Sequence, residues 1–180
     1  NNDCSYLRYN DGFNNKIITY KGYFEKIIEE KAEGYINTNQ HNFKIKIGSN
    51  IEVPVRHSVS KTPSNLLFVV FSQIDLLFLP TYNPFTDQIS FIGDKLGYET
   101  LTVFQPGYRD LGRKYRTLPF GDVNRYQNYL SNILEKIHQK FPTKKIIAVG
   151  DDYTANALLH VALKHPSLMD GLVLHNGIYE

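Results

Sequence analysis

Apolar residues form short runs and one long stripe, which predict alternating strands and helices in the second half of the chain. Residues 66–71 are apolar at every position, which is typical of a central strand covered on both faces of a parallel sheet. Residues 99–104 predict a further strand. Residues 122–141 predict the longest helix, because apolar side chains recur there at helical spacing, and Asp122 or Asn124 can cap its first turn. The apolar stripe consists of Tyr126, Tyr129, Leu130, Ile133, Leu134, Ile137 and Phe141.

The segment after this helix predicts a strand, a sharp turn, a helix and a second strand. The apolar run of residues 144–149 stops at Gly150, and apolar side chains then recur at helical spacing as far as Leu163. Pro166 ends the helix, and residues 171–174 predict the next strand. Two buried strands joined by a helix form a right-handed parallel crossover. Such a unit places the turn after its first strand at the carboxyl edge of the sheet, where open α/β proteins bind ligands.

The first half of the chain predicts an antiparallel hairpin, whereas the secondary structure of its N-terminal residues is predicted less definitely. Apolar and polar residues alternate over residues 43–47, a turn follows, and residues 51–55 predict the returning strand. Residues 1–16 are polar and predict a loose arm, whereas residues 17–32 are compatible with either a helix or a strand. Residues 86–96 predict a helix that ends before a glycine.

Composition and charge exclude several classes of protein. The chain has 180 residues and a net charge of +2, which indicate one domain and no particular affinity for nucleic acid. It has no apolar run of about 18 residues, so no membrane span is expected. Its only cysteine, Cys4, excludes an internal disulfide framework and favours a reducing compartment such as the cytoplasm or an organelle matrix. No glycine-rich phosphate loop and no cluster of metal ligands occurs, so we expect neither a cofactor nor a metal.

The turn from Gly150 to Ala155 resembles the nucleophile elbow of the α/β-hydrolase family, which usually reads Gly-x-Ser-x-Gly. Asp152 stands at the nucleophile position and Tyr153 follows it, which is similar to the elbow of epoxide hydrolases and haloalkane dehalogenases. The resemblance implies that Asp152 attacks an electrophilic carbon to form an ester, and that a histidine activates the water that hydrolyses it. It also implies that the backbone N–H of Tyr153 lies in the oxyanion hole. The similarity extends over residues 43–176, with further matches at residues 106–113, 155–157, 165–166 and 171–174.

Several residues depart from the family pattern. Thr154 replaces the second glycine of the elbow, and its side chain is expected to crowd the approach of strand and helix. Ser72 and Gln73 follow the central strand where the family has His-Gly and part of its oxyanion hole. The family's catalytic acid and histidine follow later strands. Among the six histidines of this chain, His175 falls at the carboxyl edge of the sheet and Asn176 comes next, so we retain them as candidates for a base and for anion stabilisation.

Two features also have a purely structural interpretation. Asp151 or Asp152 can cap the helix that follows, because aspartate is a preferred helix cap. Residues 74–84 are unusually apolar for a loop and predict either a buried segment or a cover over a site or a partner.

These observations predict an α/β fold: a mostly parallel, α/β-hydrolase-like sheet with an N-terminal antiparallel hairpin, helices on both faces and the C-terminal part missing. Residues 1–40 are expected to form an arm and residues 41–180 the partial domain. The last predicted strand exposes a sheet edge, so we expect a protein partner or a second polypeptide to cover it. Two functions remain open: a binding or scaffold domain with impaired catalysis, and an ester or epoxide hydrolase that uses Asp152 and is completed by residues outside this chain.

Overall fold

Backbone hydrogen bonds arrange the strands into two sheets, one of three strands and one of six. The computed structural model describes residues 4–10, 15–21, 25–31, 39–48, 50–60, 62, 64–71, 89, 92–93, 96–107, 113–118 and 122–177. The predicted loop of residues 74–84 lies outside this set, as do most of the predicted helix of residues 86–96 and the middle of the loop of residues 106–113.

The N-terminal segment builds the three-stranded sheet, in which β1 (Cys4–Asn10), β2 (Asn15–Lys21) and β3 (Glu25–Lys31) pair in antiparallel order. This structure differs from the loose arm expected for residues 1–16, and for residues 17–32 it agrees with the strand interpretation. Antiparallel strands satisfy their backbone groups through their neighbours, and polar strands of this kind leave little periodic signal in the sequence. The division of the chain at residue 40 stays a prediction.

The larger sheet contains β4 (Asn39–Ile47), β5 (Ile51–Val59), β6 (Leu66–Phe71), β7 (Glu99–Val103), β8 (Lys145–Asp151) and β9 (Gly171–His175). Its strand order is β4-β5-β7-β6-β8-β9. The predicted hairpin is formed by β4 and β5, and β5 runs antiparallel to β7. The strands β7, β6, β8 and β9 are parallel to one another. The predicted sheet, mostly parallel with an N-terminal hairpin, is therefore confirmed.

The described helices are α1 (Arg113–Arg116), α2 (Val123–Lys140) and α3 (Asp152–Lys164), and a short 3-10 helix (Pro166–Leu168) follows α3. The start of α2 is capped as predicted, because the Asp122 carboxylate accepts a hydrogen bond from the backbone N–H of Arg125 at 2.9 Å. The crossover from β8 through α3 to β9 follows the order that the apolar pattern predicts.

One face of the six-stranded sheet packs against α2 and α3, which also pack against each other. Each strand contributes alternate residues to this core, as the two-residue period of a strand requires. Burying one leucine or isoleucine side chain contributes about 1.5–3 kcal/mol, so this layer supplies much of the stability. The core includes Leu67, Val69, Phe71, Leu101, Val103, Leu130, Ile133, Leu134, Ile137, Ile146, Ala148 and Leu158.

A helical segment lies on the opposite face of the sheet. Positions 89, 92, 93 and 96 are helical, and Gly97, with φ of +77°, follows them. Gly93 lies so close to β7 that a Cβ atom there would be 2.6 Å from Thr100 Cγ2. Thr100 points away from its neighbour Leu101, which lies in the core with α2. Helices on both faces of the sheet are therefore confirmed.

Candidate active site

The connection from β8 to α3 is a sharp turn at the carboxyl edge of the parallel strands. Asp152, the first residue of α3, has φ of +51°. This left-handed conformation costs a residue other than glycine about 1–2 kcal/mol. Gly150 lies so close to the helix that a Cβ atom there would be 2.6 Å from Leu158 Cδ1 and 3.2 Å from the Ala155 backbone nitrogen. The close-packed Gly150 and the left-handed residue two positions later make a sharp strand–turn–helix connection, which resembles a nucleophile elbow.

The Asp152 carboxylate lies in the first turn of α3 and is half-buried. The positive end of the helix dipole favours a negative charge there by about 0.3–1 kcal/mol. Within the described part of the chain, no residue donates a hydrogen bond to this carboxylate.

The preceding carboxylate, Asp151, has a partner on the next strand. Asp151 ends β8 and His175 ends β9, and the two residues are partners in the parallel register. His175 Nδ1 lies 2.8 Å from Asp151 Oδ1. The Asp151 side chain is 10% exposed and the His175 side chain 64% exposed, so a largely buried carboxylate holds an imidazole that faces solvent. Asp151 occupies the N-cap position of α3 but makes no side-chain cap, so the capping interpretation is wrong for this residue.

The other predicted site residues lie beside the turn or outside the described part of the chain. Tyr153 follows the elbow aspartate, and its ring stacks on Tyr126 with the centroids 5.4 Å apart. Partial burial raises the pKa of Tyr153. Asn176 follows β9 and is exposed, with φ of +53°. Ser72 and Gln73 lie outside the residues that the structure describes, and the roles predicted for these residues stay predictions.

A buried triad of polar side chains lies next to the elbow. Thr154 Oγ1 and Tyr126 Oη are 2.9 Å apart, and Gln105 Nε2 donates to both oxygens at 3.4 and 3.5 Å. All three side chains are fully buried, and burial raises the pKa of Tyr126 well above its usual range. Thr154 stands where the family has glycine, yet its side chain fits into this triad and Asp152 keeps a left-handed backbone. The expectation that Thr154 crowds the elbow is therefore wrong.

Sequence reasoning missed both of these groupings. The sequence contains one weak signal for the pairing of Asp151 with His175. If the last two predicted strands are aligned as parallel neighbours, each of them ends in a polar residue at the carboxyl edge of the sheet. The triad has no local signal, since its members come from the segment after β7, from α2 and from α3, and only the packed fold brings them together.

The described residues offer no group of three or more His, Cys, Asp or Glu side chains that could hold a metal ion. Among the helices in this part of the chain, none is long and apolar enough to cross a membrane.

Neither a protein-family model nor a curated protein matches the chain. Solved structures do match it. A post-proline cleaving enzyme from Rickettsia typhi is similar over 97% of this chain and 27% of its own, with a TM-score of 0.68 and 12% identity. An acylaminoacyl peptidase from Pyrococcus horikoshii is similar over 97% of this chain and 29% of its own, with a TM-score of 0.60 and 14% identity. A dienelactone hydrolase from Anabaena variabilis is similar over 79% of this chain and 65% of its own, with a TM-score of 0.61 and 11% identity.

These similarities define the class of fold: the chain carries part of the α/β-hydrolase fold. It spans about a quarter of the length of the two peptidases. A match over 97% of the chain must include most of the N-terminal three-stranded sheet, so this sheet also has a counterpart in the peptidase structures. At sequence identities of 11–14%, these similarities show the fold alone, and a shared fold does not carry its chemistry with it.

Proposed function

We propose that this domain is part of a hydrolase that uses Asp152 as a covalent nucleophile on a saturated, electrophilic carbon, with epoxides as the substrate class. The observation that carries the proposal is the backbone of Asp152, whose φ of +51° puts a carboxylate at the apex of an elbow closed by Gly150. Strained residues of this kind cluster at functional sites. The parts that bind the substrate and open its ring belong to the rest of the fold.

The chemistry of a carboxylate favours this substrate class over the esters and amides that a serine elbow cleaves. Attack on a saturated carbon gives an ordinary ester, which water can hydrolyse. Attack on an ester or amide carbonyl gives an anhydride, which is more reactive than the bond that was broken. The matched structures are named as peptidases and a dienelactone hydrolase, but this elbow carries a nucleophile suited to a different carbon.

Two sequence features that argue for impaired catalysis carry less weight beside the geometry. Thr154 replaces a glycine, but its hydroxyl lies in a buried triad and the left-handed elbow is retained. The catalytic histidine of the family falls after later strands, but His175 lies at the carboxyl edge in contact with the residue before the nucleophile. These observations support the proposal that the elbow is chemically competent.

The test is turnover of an epoxide, such as styrene oxide, by the full-length protein in water enriched in the heavy oxygen isotope. If Asp152 is the nucleophile, the isotope enters its carboxylate during repeated turnovers, and mass spectrometry finds it in the peptide that contains this residue. Asp152→Asn is expected to lose turnover by at least about a hundredfold. Asp122→Asn is the matched control, since asparagine caps a helix as well as aspartate does. Diol formation with an unlabelled Asp152 would overturn the proposal.

The second candidate function is a binding or scaffold domain without catalysis. It is favoured by the replacement of the usual serine by Asp152 and by the outer edge of β9, where Val173 is 45% exposed. In this case Asp152→Asn equals wild type in every turnover assay, and a second polypeptide stays with the purified protein in native mass spectrometry. Val173→Lys is then expected to release that polypeptide, whereas Leu163→Lys, at an exposed position of α3, is not.

A further inference from the structure

Tyr126 contacts both residues that follow the elbow aspartate. Its ring stacks on the Tyr153 ring, with the centroids 5.4 Å apart and the ring planes 23° from parallel. Its hydroxyl oxygen lies 2.9 Å from Thr154 Oγ1. Asp152, Tyr153 and Thr154 are consecutive, so the first turn of α3 is attached to α2 at two points directly after the residue with positive φ.

Burial makes this attachment rigid. Tyr126 and Thr154 have no exposed surface, and Gln105 Nε2, from the segment after β7, donates to both hydroxyl oxygens. A buried hydroxyl that loses its partner is costly, and a buried network of satisfied polar groups holds its members in one arrangement. Three separate parts of the chain therefore fix the position of residue 154, two places after the elbow aspartate.

The backbone N–H groups of the first turn of α3 are what this attachment can position. The first four N–H groups of a helix have no acceptor within it, and the side chain of Asp151, at the N-cap, makes no hydrogen bond to them. The family resemblance implies that the Tyr153 N–H lies in the oxyanion hole. Such a donor stabilises an oxyanion only if it points at the place where the negative charge develops. Its direction depends on the backbone of residues 152 and 153, which lie between the elbow glycine and the contacts of Tyr126.

We propose that Tyr126 is a positioning residue of this site, which acts through Tyr153 and Thr154 to aim the Tyr153 N–H at the oxyanion. The inference rests on the proposed function and assigns a residue of α2 to the same reaction. It also gives a role to the replacement of glycine by Thr154, because a residue at this position needs a hydroxyl to bond the Tyr126 oxygen.

The two steps of the proposed reaction depend on this N–H to different degrees. In the first step an Asp152 oxygen attacks an epoxide carbon, the ring C–O bond breaks, and the alkoxide takes a proton from water and leaves hydroxide. In the second step water adds to the ester carbonyl carbon, whose oxygen becomes an oxyanion. The bond to the alkyl oxygen then breaks as that oxygen takes up the proton that water lost, which gives a diol and a carboxyl group that is neutralised by the hydroxide. An oxyanion develops only in the second step, so a misdirected N–H slows mainly the hydrolysis of the ester.

The test measures the two steps separately. The full-length protein is mixed with saturating styrene oxide and quenched in acid at increasing times, and the ester on Asp152 is followed by intact mass spectrometry beside the release of diol. Tyr126→Phe keeps the stacked ring and removes one hydroxyl, and Thr154→Val removes the other. Each variant is expected to hydrolyse the ester about tenfold to a hundredfold more slowly and to form it within about threefold of the wild-type rate, so that the ester accumulates.

Two further variants separate positioning from stability. Thr154→Ser loses a buried methyl group but keeps the hydroxyl, so it is expected to be less stable than wild type and to hydrolyse the ester at the wild-type rate. Tyr129→Phe is the matched control, since it removes an exposed hydroxyl from the same helix as Tyr126, and it should leave both steps unchanged. Urea unfolding establishes that each variant is folded under the conditions of the assay.

Each outcome decides between the two proposals. If Tyr126→Phe and Thr154→Val hydrolyse the ester at the wild-type rate, or slow both steps equally, Tyr126 has a structural role and the inference fails while Asp152 remains the nucleophile. If wild type makes no diol, or makes it without labelling Asp152 from heavy-oxygen water, the proposed function fails and this inference fails with it.

Discussion

The buried triad next to the elbow predicts a measurable coupling between two hydroxyl groups. Tyr126→Phe and Thr154→Val each remove one hydroxyl and keep the shape of the side chain. Each change removes the 2.9 Å partner of a fully buried hydroxyl and leaves it only the longer contact with Gln105 Nε2, which costs about 1–3 kcal/mol, and we take about 2 kcal/mol for each single variant. In the double variant neither hydroxyl is stranded, and Gln105 Nε2 loses these two acceptors. We therefore expect a total loss of about 2–3 kcal/mol instead of about 4, a coupling of about 1–2 kcal/mol.

Urea unfolding of the full-length protein, followed by circular dichroism, measures this double-mutant cycle, provided that the four proteins share one slope of free energy against urea. Tyr129→Phe is the control, because its hydroxyl accepts a hydrogen bond from Arg125 Nε at the protein surface. It should change the free energy of unfolding by no more than about 0.5 kcal/mol. If the losses of the two single variants add within about 0.5 kcal/mol, the hydroxyls are not coupled and the reasoning is refuted.

Three further changes test the elbow and the opposite edge of the sheet. Gly150→Ala should lower the free energy of unfolding by about 1–3 kcal/mol, because its Cβ would meet Leu158 Cδ1 at 2.6 Å; an unchanged urea midpoint contradicts this close approach. Asp152→Gly should be more stable than Asp152→Ala by about 1 kcal/mol, since glycine alone adopts positive φ readily; equal midpoints would show that the backbone is not strained. Burial lowers the pKa of His57 against the opposing effect of its hydrogen bond to Glu99, so the folded state binds fewer protons than the unfolded state. Stability should therefore fall as the pH drops below 6.5, and His57→Gln should remove this slope in urea titrations on either side of that pH.

The elements that carry their own apolar period could be predicted from the sequence. The helix α2 has a seven-residue apolar stripe and a capping aspartate, and both the stripe and the cap are found where they were expected. The hairpin of β4 and β5, and the crossover from β8 to β9, follow from alternation, from a buried run and from turn residues at their ends. In each case the signal lies within the element, so neighbouring chain segments are not needed to interpret it.

The contacts of the candidate site could not be predicted in this way, because they join distant parts of the chain. Gln105 reaches Thr154, which lies 49 positions further along the chain. His175 meets Asp151 because two strands stop in register, which depends on the lengths of the strands and of the helix between them. An imidazole at the end of an apolar strand is compatible with either a structural or a chemical role until its partner is known. The sequence therefore indicates where the site is but not how its side chains pair.

The energetics of residue 152 give a reason to look for a role of its side chain. The left-handed backbone costs an aspartate about 1–2 kcal/mol, and the helix N-terminus returns only about 0.3–1 kcal/mol for its charge. Glycine would make the same turn without the first of these costs. Helix capping does not require this carboxylate either, because the N-cap position belongs to Asp151. If Asp152→Gly proves more stable than wild type and no longer forms an ester, the strain and the chemistry lie in one residue, as expected of a nucleophile and not of a helix cap.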